Sequence, residues 1–471
     1  MILLRDKKPE RSILMSTKVN VENEFELFAR EMERKLSSEQ IRQLAKEVDF
    51  MQRSTKLKPE YFCQLCSILG ESFGNKSLTQ LCAQLCSYFN LEISAEGLNQ
   101  RFNEESVEFM RRIFQSLWLN QVSGSLPFVE RHLFKRIRIL DSSSFDLPSD
   151  YTGYDGPNGT GVKIQLEYEL YEGVFRHLQI QNGKESDISY AKSIQDDIQP
   201  GDLCLRDLGY FSQDNLLAID KKGGYYVSRI RNQTNLYQKN DDGQWQKINV
   251  TKMMEPLQPG EVIELTQVRV GAKTKDPLLA RIVVTKLTEE QKEKRQEHLN
   301  QKKKRRKKSL SAQKNISVNI FATNIPQEQV KKEEIYPLYS LRWQIEILFK
   351  TWKSLFEIQK VKKMKKERFE CHLYGTLIQL LICSTVAFQC RRMLYQQYHM
   401  EVSEYKSIDI AKESLTVSQQ GMIDKGRSLV EVLKRIYKSI RMNGRKCHKK
   451  QKKTVFDILH IAYKQSISPT A

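Results

Sequence analysis

Long apolar runs are nearly absent from this chain of 471 residues. Its first residues, MILLRDKKPERS, lack the apolar core of a signal peptide, so no secretory leader is expected. One stretch, 373–390, carries no charge, but Thr376, Gln379, Ser384, Thr385 and Gln389 interrupt it. A buried core helix is expected there, and no membrane partner. Cysteine is sparse and odd in number: Cys63, Cys66, Cys82, Cys86, Cys204, Cys371, Cys383, Cys390 and Cys447. That argues against a secreted disulfide framework and for a reducing, cytoplasmic location. Cys63 with Cys66, and Cys82 with Cys86, mimic zinc spacing, yet they fall one helical turn apart in apolar segments and read as buried thiols. The seven histidines form no ligand pattern, and Ser142–Ser144 has no His/Asp arrangement to activate it. The glycine-rich turn at 156–161 lacks the Lys-Ser/Thr of a phosphate loop.

What the chain has in excess is positive charge: 77 Lys+Arg against 57 Asp+Glu, a net of +20. Residues 291–308 net +8 and residues 425–453 net +11, which leaves the remainder nearly neutral. A small neutral metabolite has no use for that excess; a polyanion does. Charge runs are commonly solvated faces, and KKKRRKK also fits a nuclear-localisation pattern. Two separate segments almost free of acids favour contact with a phosphate backbone.

Residues 20–125 read as helical, with Ser77-Leu78-Thr79-Gln80 and Ser94-Ala95-Glu96-Gly97 as helix starts. The pair joined at 90–94 is a weak helix-turn-helix signal. From residue 136 the period changes. Strands are expected at 137–140, 161–170 and 174–180, then a helix at 186–198, a strand at 202–205, a helix at 213–222 and a strand at 225–230. Short strands at 245–250, 262–270 and 279–287 suggest a small β-rich module, followed by a basic linker at 291–314. A strand at 316–323 and one long helix from 336 to about 355 complete the pattern, and the C-terminal stretch is helical and basic.

Three antiparallel strands, then helix, strand, helix, strand and a late helix, is the chain order of a ribonuclease-H-like fold. The expected class is therefore α/β: a ribonuclease-H-like core interrupted by a β-rich insertion. The divisions are 1–130 helical and DNA-binding, 131–230 first part of the core, 231–315 insertion and basic linker, 316–400 second part of the core, and 401–471 basic helical C-terminal region. In that fold the first and fourth strands lie side by side and parallel, so Asp141 and Asp207, each placed at a strand end, emerge together. Glu346 on the late helix could complete the cluster. Asp146, Asp150 and Asp155 are rivals to Asp141, but they sit in a Ser/Pro/Gly loop, whereas Asp141 follows an apolar run directly. Three carboxylates without sulfur or imidazole suit Mg²⁺ or Mn²⁺. Two such ions, roughly 3.5–4 Å apart, can clamp the attacking and leaving oxygens of a phosphodiester displacement.

The segment YSLRWQIEILFKTWK places Tyr339, Arg342, Glu346 and Lys353 in the order Y-x2-R-x3-E-x6-K. On one helix these would share a face; the plainer reading is an Arg342–Glu346 surface pair. The spacing resembles the signature of DDE transposases of insertion-sequence family four. LDSSSFDLP around Asp141 and LRDLGYF around Asp207 resemble the family's two aspartate segments. The resemblance runs from about residue 60 to about residue 390. It implies that Asp141, Asp207 and Glu346 are catalytic metal ligands. It implies also that Tyr339, Arg342 and Lys353 hold phosphates of double-stranded DNA. The expected partners are transposon ends, target DNA and a second copy of the chain in a homodimer. In related transposases a Trp of the insertion stacks on a flipped base during hairpin formation. Trp245 is the insertion's only Trp, although a core role for it is equally open. The rival functions are a stand-alone nuclease of the same fold and a non-catalytic DNA-binding protein from a decayed element.

Overall fold

The computed structural model describes residues 21–51, 56–67, 72–119, 133–148, 151–157, 159–231, 234–271, 277–306, 318–398, 400–425, 428–446, 455 and 458–459. Asp150, Asn158 of the glycine-rich turn, and the basic residues at 307–308 and 447–453 lie outside them. The described chain is mixed α/β. Six helices come first: α1 (Val21–Lys35), α2 (Ser38–Glu47), α3 (Pro59–Cys66), α4 (Leu78–Phe89), α5 (Ala95–Asn99) and α6 (Glu104–Leu119). The helix that starts at Ser94 is short, ending at Asn99, and a second, α6, follows it. Helix α4 opens with a reciprocal cap. Ser77 Oγ accepts from the Gln80 amide at 3.2 Å, and Gln80 Oε1 accepts from the Ser77 amide at 2.8 Å. Such caps contribute about 1 kcal/mol.

The core sheet follows as β1 (Arg136–Asp146), β2 (Asp155–Gly156), β3 (Gly159–Glu169), β4 (Val174–Asn182), α7 (Asp187–Ser193), β5 (Asp202–Arg206), α8 (Gln213–Lys221) and β6 (Tyr225–Arg229). Strand β1 does not stop at Asp141 as expected. It continues to Asp146 because β3 pairs with it antiparallel from Arg138 to Asp146, Asp141 facing Leu166 and Asp146 facing Gly161. The expected adjacency holds: β1 and β5 run parallel, and so do β5 and β6. The β3–β4 turn relies on Gly173, whose φ is +71° and whose missing Cβ would lie 2.3 Å from the Phe388 ring.

Next come β7 (Leu236–Lys239), β8 (Trp245–Lys247), α9 (Val250–Met254), β9 (Val262–Val270), β10 (Leu278–Lys286), α10 (Glu289–Arg306) and β11 (Val318–Thr323). The strands of this stretch do not form a module of their own. They extend the core into a single eleven-stranded sheet of order β2-β3-β1-β5-β6-β11-β10-β9-β7-β8, with β4 on β3. Strand β11 is the bridge, antiparallel to both β6 and β10. The basic linker is instead largely the helix α10. Its surface is polar all round, so its sequence carries no apolar period to mark a helix. Pairs one turn apart (Lys292–Glu289, Lys294–Glu290) support it.

Among the described residues five helices follow β11: α11 (Lys332–Ser340), α12 (Trp343–Ser354), α13 (Lys366–Tyr398), α14 (Glu404–Lys425) and α15 (Leu429–Asn443). The single helix expected over 336–355 is broken at Leu341–Arg342. There the amide bonds tighten to i→i−3: Arg342 to Tyr339 O at 3.0 Å and Ile345 to Arg342 O at 3.3 Å. Helix α13 is long and apolar enough to cross a membrane, but 78% of its most apolar 18-residue window is buried in the protein. It packs on α3, α6, α14 and α15. One continuous apolar cluster joins Phe62 and Phe109 of the N-terminal helices to Ile139, Trp352, Leu380 and Ile436.

Candidate active site

The parallel β1–β5 pairing ends at Leu140 opposite Arg206. Asp141 and Asp207 are the next residues on the two strands, so both carboxylates leave the sheet at one end. Asp207 caps a short 3₁₀ turn, Leu208–Tyr210. Glu346 lies in the first turn of α12, which packs over β1. All three acids surround one guanidinium. Arg342 Nη1 lies 3.1 Å from Asp141 Oδ2, Nη2 lies 2.6 Å from Glu346 Oε1, and Nε lies 3.9 Å from Asp207 Oδ1. Carboxylates separated by 66 and 139 residues in the chain therefore meet at a single cation.

Burial sets the electrostatics. It pushes the Asp141 carboxyl up to about 7; Arg342 pulls the other way, while Asp207 and Glu346 add repulsion. Burial also opposes the charge of Arg342, which is 5% exposed, but Tyr339 and the three acids hold its pKa above the ordinary value. The donor set is three carboxylates without thiolate or imidazole, already gathered around a cation. That chemistry fits Mg²⁺ or Mn²⁺.

The remaining singled-out residues separate. Tyr339 is buried, its ring 5.0 Å from that of Phe321 and 5.8 Å from the Arg342 guanidinium. Burial pushes its hydroxyl up to about 12. Lys353 is half-buried on α12 and donates to Ser144 O at 3.0 Å; burial lowers its ammonium. Trp245 is not brought to the acids. Strand β8 is the last of the sheet order, and there the half-buried indole carries Arg269 at 4.7 Å and Lys239 at 5.6 Å.

One residue escaped the sequence reading. Arg229 ends β6, one position past Ser228, which pairs with Arg206. It therefore continues the row Asp141–Asp207 on a third parallel strand. Its charge acts on Tyr339, and it has no ion pair among the described residues. Only the strand register reveals it.

A second polar cluster needs separating from the first. Among the described residues, Glu167, His177 and Asp197 bring one ligand atom each within 4.8 Å of one another. Arg138 already pairs with Glu167 at 2.6 Å and Asp197 at 3.3 Å, and Arg176 with Asp197 at 3.1 Å. A cation there would face two guanidinium groups, so this is an internal ion-pair network and not a metal centre.

Residues 132–382 match the family described as Transposase DDE domain. The transposase for insertion sequence element IS231F of Bacillus thuringiensis subsp. israelensis is 38% identical over 470 residues, covering 95% of this chain and 98% of that protein. The transposase for insertion sequence element IS231E of Bacillus thuringiensis subsp. finitimus is 36% identical over 466 residues, covering 94% and 97%. A cryo-EM structure of piggyBac transposase in a synaptic complex with hairpin DNA aligns with a TM-score of 0.47 and 11% identity, over 95% of this chain and 89% of that one. The chain belongs to the DDE transposase family. It is an enzyme of DNA transposition.

Proposed function

We propose that Asp141, Asp207 and Glu346 are the catalytic acids of this transposase and hold divalent metal, Mg²⁺ or Mn²⁺, as a pair of ions. The observation that carries this is their convergence on the Arg342 guanidinium from three distant elements. Bound there, the metal would activate a water or a DNA 3′-hydroxyl and stabilise the departing oxygen. The chain's own part is to gather the acids and hold phosphates. Arg342 at the acids, with Lys353, Tyr339 and Arg229 on the neighbouring elements α12, α11 and β6, is the proposed set that grips the DNA backbone beside the reacting phosphodiester.

The proposed reaction is cut-and-paste. Water attacks a phosphodiester at each terminal inverted repeat and releases a 3′-hydroxyl, which then attacks target DNA. The strand order β4-β3-β1-β5-β6 supports a ribonuclease-H-like core in two parts, 131–230 and 316–400. Residues 231–315 form the insertion, 1–130 the end-recognition region, and 401–471 a basic region for DNA or a partner subunit. Paired ends call for a homodimer. Trp245, flanked by Arg269 and Lys239, is the proposed base-stacking residue of the insertion.

The test mixes the full chain with Mg²⁺ and linear DNA carrying the element's ends. Wild type should nick at the repeats and yield strand-transfer products. Asp141→Asn, Asp207→Asn and Glu346→Gln should bind the ends and cut nothing. Cutting retained by any of the three, or indiscriminate digestion by wild type, would sink the assignment.

A further inference from the structure

We infer that Arg342 is a built-in counter-cation of the acidic trio, displaced when divalent metal enters and thereby released to take a DNA phosphate. The inference rests on the reading of Asp141, Asp207 and Glu346 as the metal-holding acids, and adds that metal and DNA binding are coupled through one side chain.

Three facts point to a displaceable occupant. First, Asp141 Oδ2 and Glu346 Oε1 both reach the same guanidinium, at 3.1 and 2.6 Å, so they face one shared space. A divalent ion held by these acids would draw on the same carboxylates, and the two cations would repel. Second, Arg342 fits its place incompletely. Its Nε–H is buried without an acceptor, and Asp207 Oδ1 stands at 3.9 Å, beyond hydrogen-bond distance. One positive charge against three carboxylates leaves the trio under-compensated, which a doubly charged ion would relieve. Third, part of its surroundings faces solvent. The guanidinium is 5.1 Å from the ring of Trp343, which is 51% exposed, a contact that does not depend on the carboxylates. The backbone at Leu341–Arg342 is a tight turn between two helices and not the middle of one.

The consequence is reciprocal. Metal that frees Arg342 strengthens the grip on DNA, and DNA that holds Arg342 strengthens the grip on metal by the same factor. Without metal, Arg342 keeps the acids from repelling one another.

The test uses binding alone. Mn²⁺ affinity of the full chain without DNA is measured by electron paramagnetic resonance. Affinity for a duplex carrying the terminal repeat is measured with and without Ca²⁺, chosen so that no cleavage intervenes. Arg342→Gln should bind Mn²⁺ about tenfold more tightly than wild type. Ca²⁺ should raise wild-type affinity for the duplex severalfold, and that gain should vanish in Arg342→Gln. Arg342→Lys, which keeps the charge but cannot span two carboxylates, should fall between the two in Mn²⁺ affinity and serves if the glutamine variant folds poorly. Unchanged or weaker Mn²⁺ binding in both variants overturns this inference alone. Wild-type-like Mn²⁺ binding by Glu346→Gln and Asp141→Asn overturns the metal reading, and this inference with it.

Discussion

The hydroxyl of Tyr210 donates to Gln165 Oε1 at 2.6 Å, in a site where both residues are buried. Gln165 Nε2 donates in turn to Asp187 Oδ1 at 2.9 Å, which also accepts from Lys163 at 3.2 Å and from the Ser142 hydroxyl at 3.4 Å. Ser142 follows Asp141 directly, and Tyr210 closes the 3₁₀ turn that Asp207 begins. The two aspartates are thus tied, through their neighbours, to one hub behind the sheet.

Removing the Tyr210 hydroxyl tests that hub. Tyr210→Phe leaves Gln165 Oε1 buried and unmatched, at about 1–3 kcal/mol of stability, read as a lower urea midpoint. The Mg²⁺ concentration for half-maximal cleavage should rise roughly tenfold, as outer-sphere supports of metal ligands commonly show. A lower midpoint with unaltered Mg²⁺ demand would make the bond purely structural.

Arg138 is fully buried and holds Glu167 at 2.6 Å and Asp202 at 3.1 Å. Arg138→Met strands Glu167 in the interior, while Arg136 at 2.5 Å still holds Asp202, and should lose about 3–5 kcal/mol by denaturant unfolding. A loss below about 1 kcal/mol would mean that water reaches the cluster.

His372 is buried on α13, its ring parallel to that of Phe73 at 5.9 Å, and burial pushes it down to about 4. The unfolded imidazole titrates near 6.5, so between the two values the unfolded chain binds more protons. This contribution is complete above about pH 6.5 and falls by roughly 3 kcal/mol as pH drops towards 4. Glu169, which burial pushes up to about 7, acts in the opposite sense: it favours the fold below about 4.5 and loses that share as pH rises to 7. The stability gap between wild type and His372→Gln should therefore shrink on acidification. A gap constant over pH 4–6.5 would refute the shift.

Gly375 lets α13 touch α3: a Cβ there would lie 2.0 Å from the Cys66 carbonyl oxygen. Gly375→Ala must push the helices apart and should cost about 1–3 kcal/mol, despite alanine's better helix propensity. A higher melting temperature would show that the contact yields freely.

Trp245→Ala removes a ring that carries two cations yet belongs to no apolar core. The stability change should be about 1 kcal/mol or less. Processing of bound ends should fall while end binding stays. Equal loss of both would make Trp245 part of the insertion's fold and not of its chemistry.

Local sequence was enough for the elements whose signal lies within a few residues. Ser77 and Gln80 announce a cap, the apolar alternation from Val162 announces β3, and the Arg342–Glu346 spacing announces a contact one turn apart. The approach of Asp141 to Asp207 was legible as well, because parallel neighbours in an α/β sheet put their ends together. Long-range pairing decided the rest. Strand β3 carries β1 past Asp141, and β11 fuses the insertion to the core sheet. Register alone sets Arg229 beside Asp207 and Gln165 beneath Ser142. A side chain's partners across a sheet depend on which strands pair and in what phase, and no window of adjacent residues records that. The place of Arg342 shows the difference best: spacing relates it to Glu346, but only the folded chain brings Asp141 and Asp207 to its other edges.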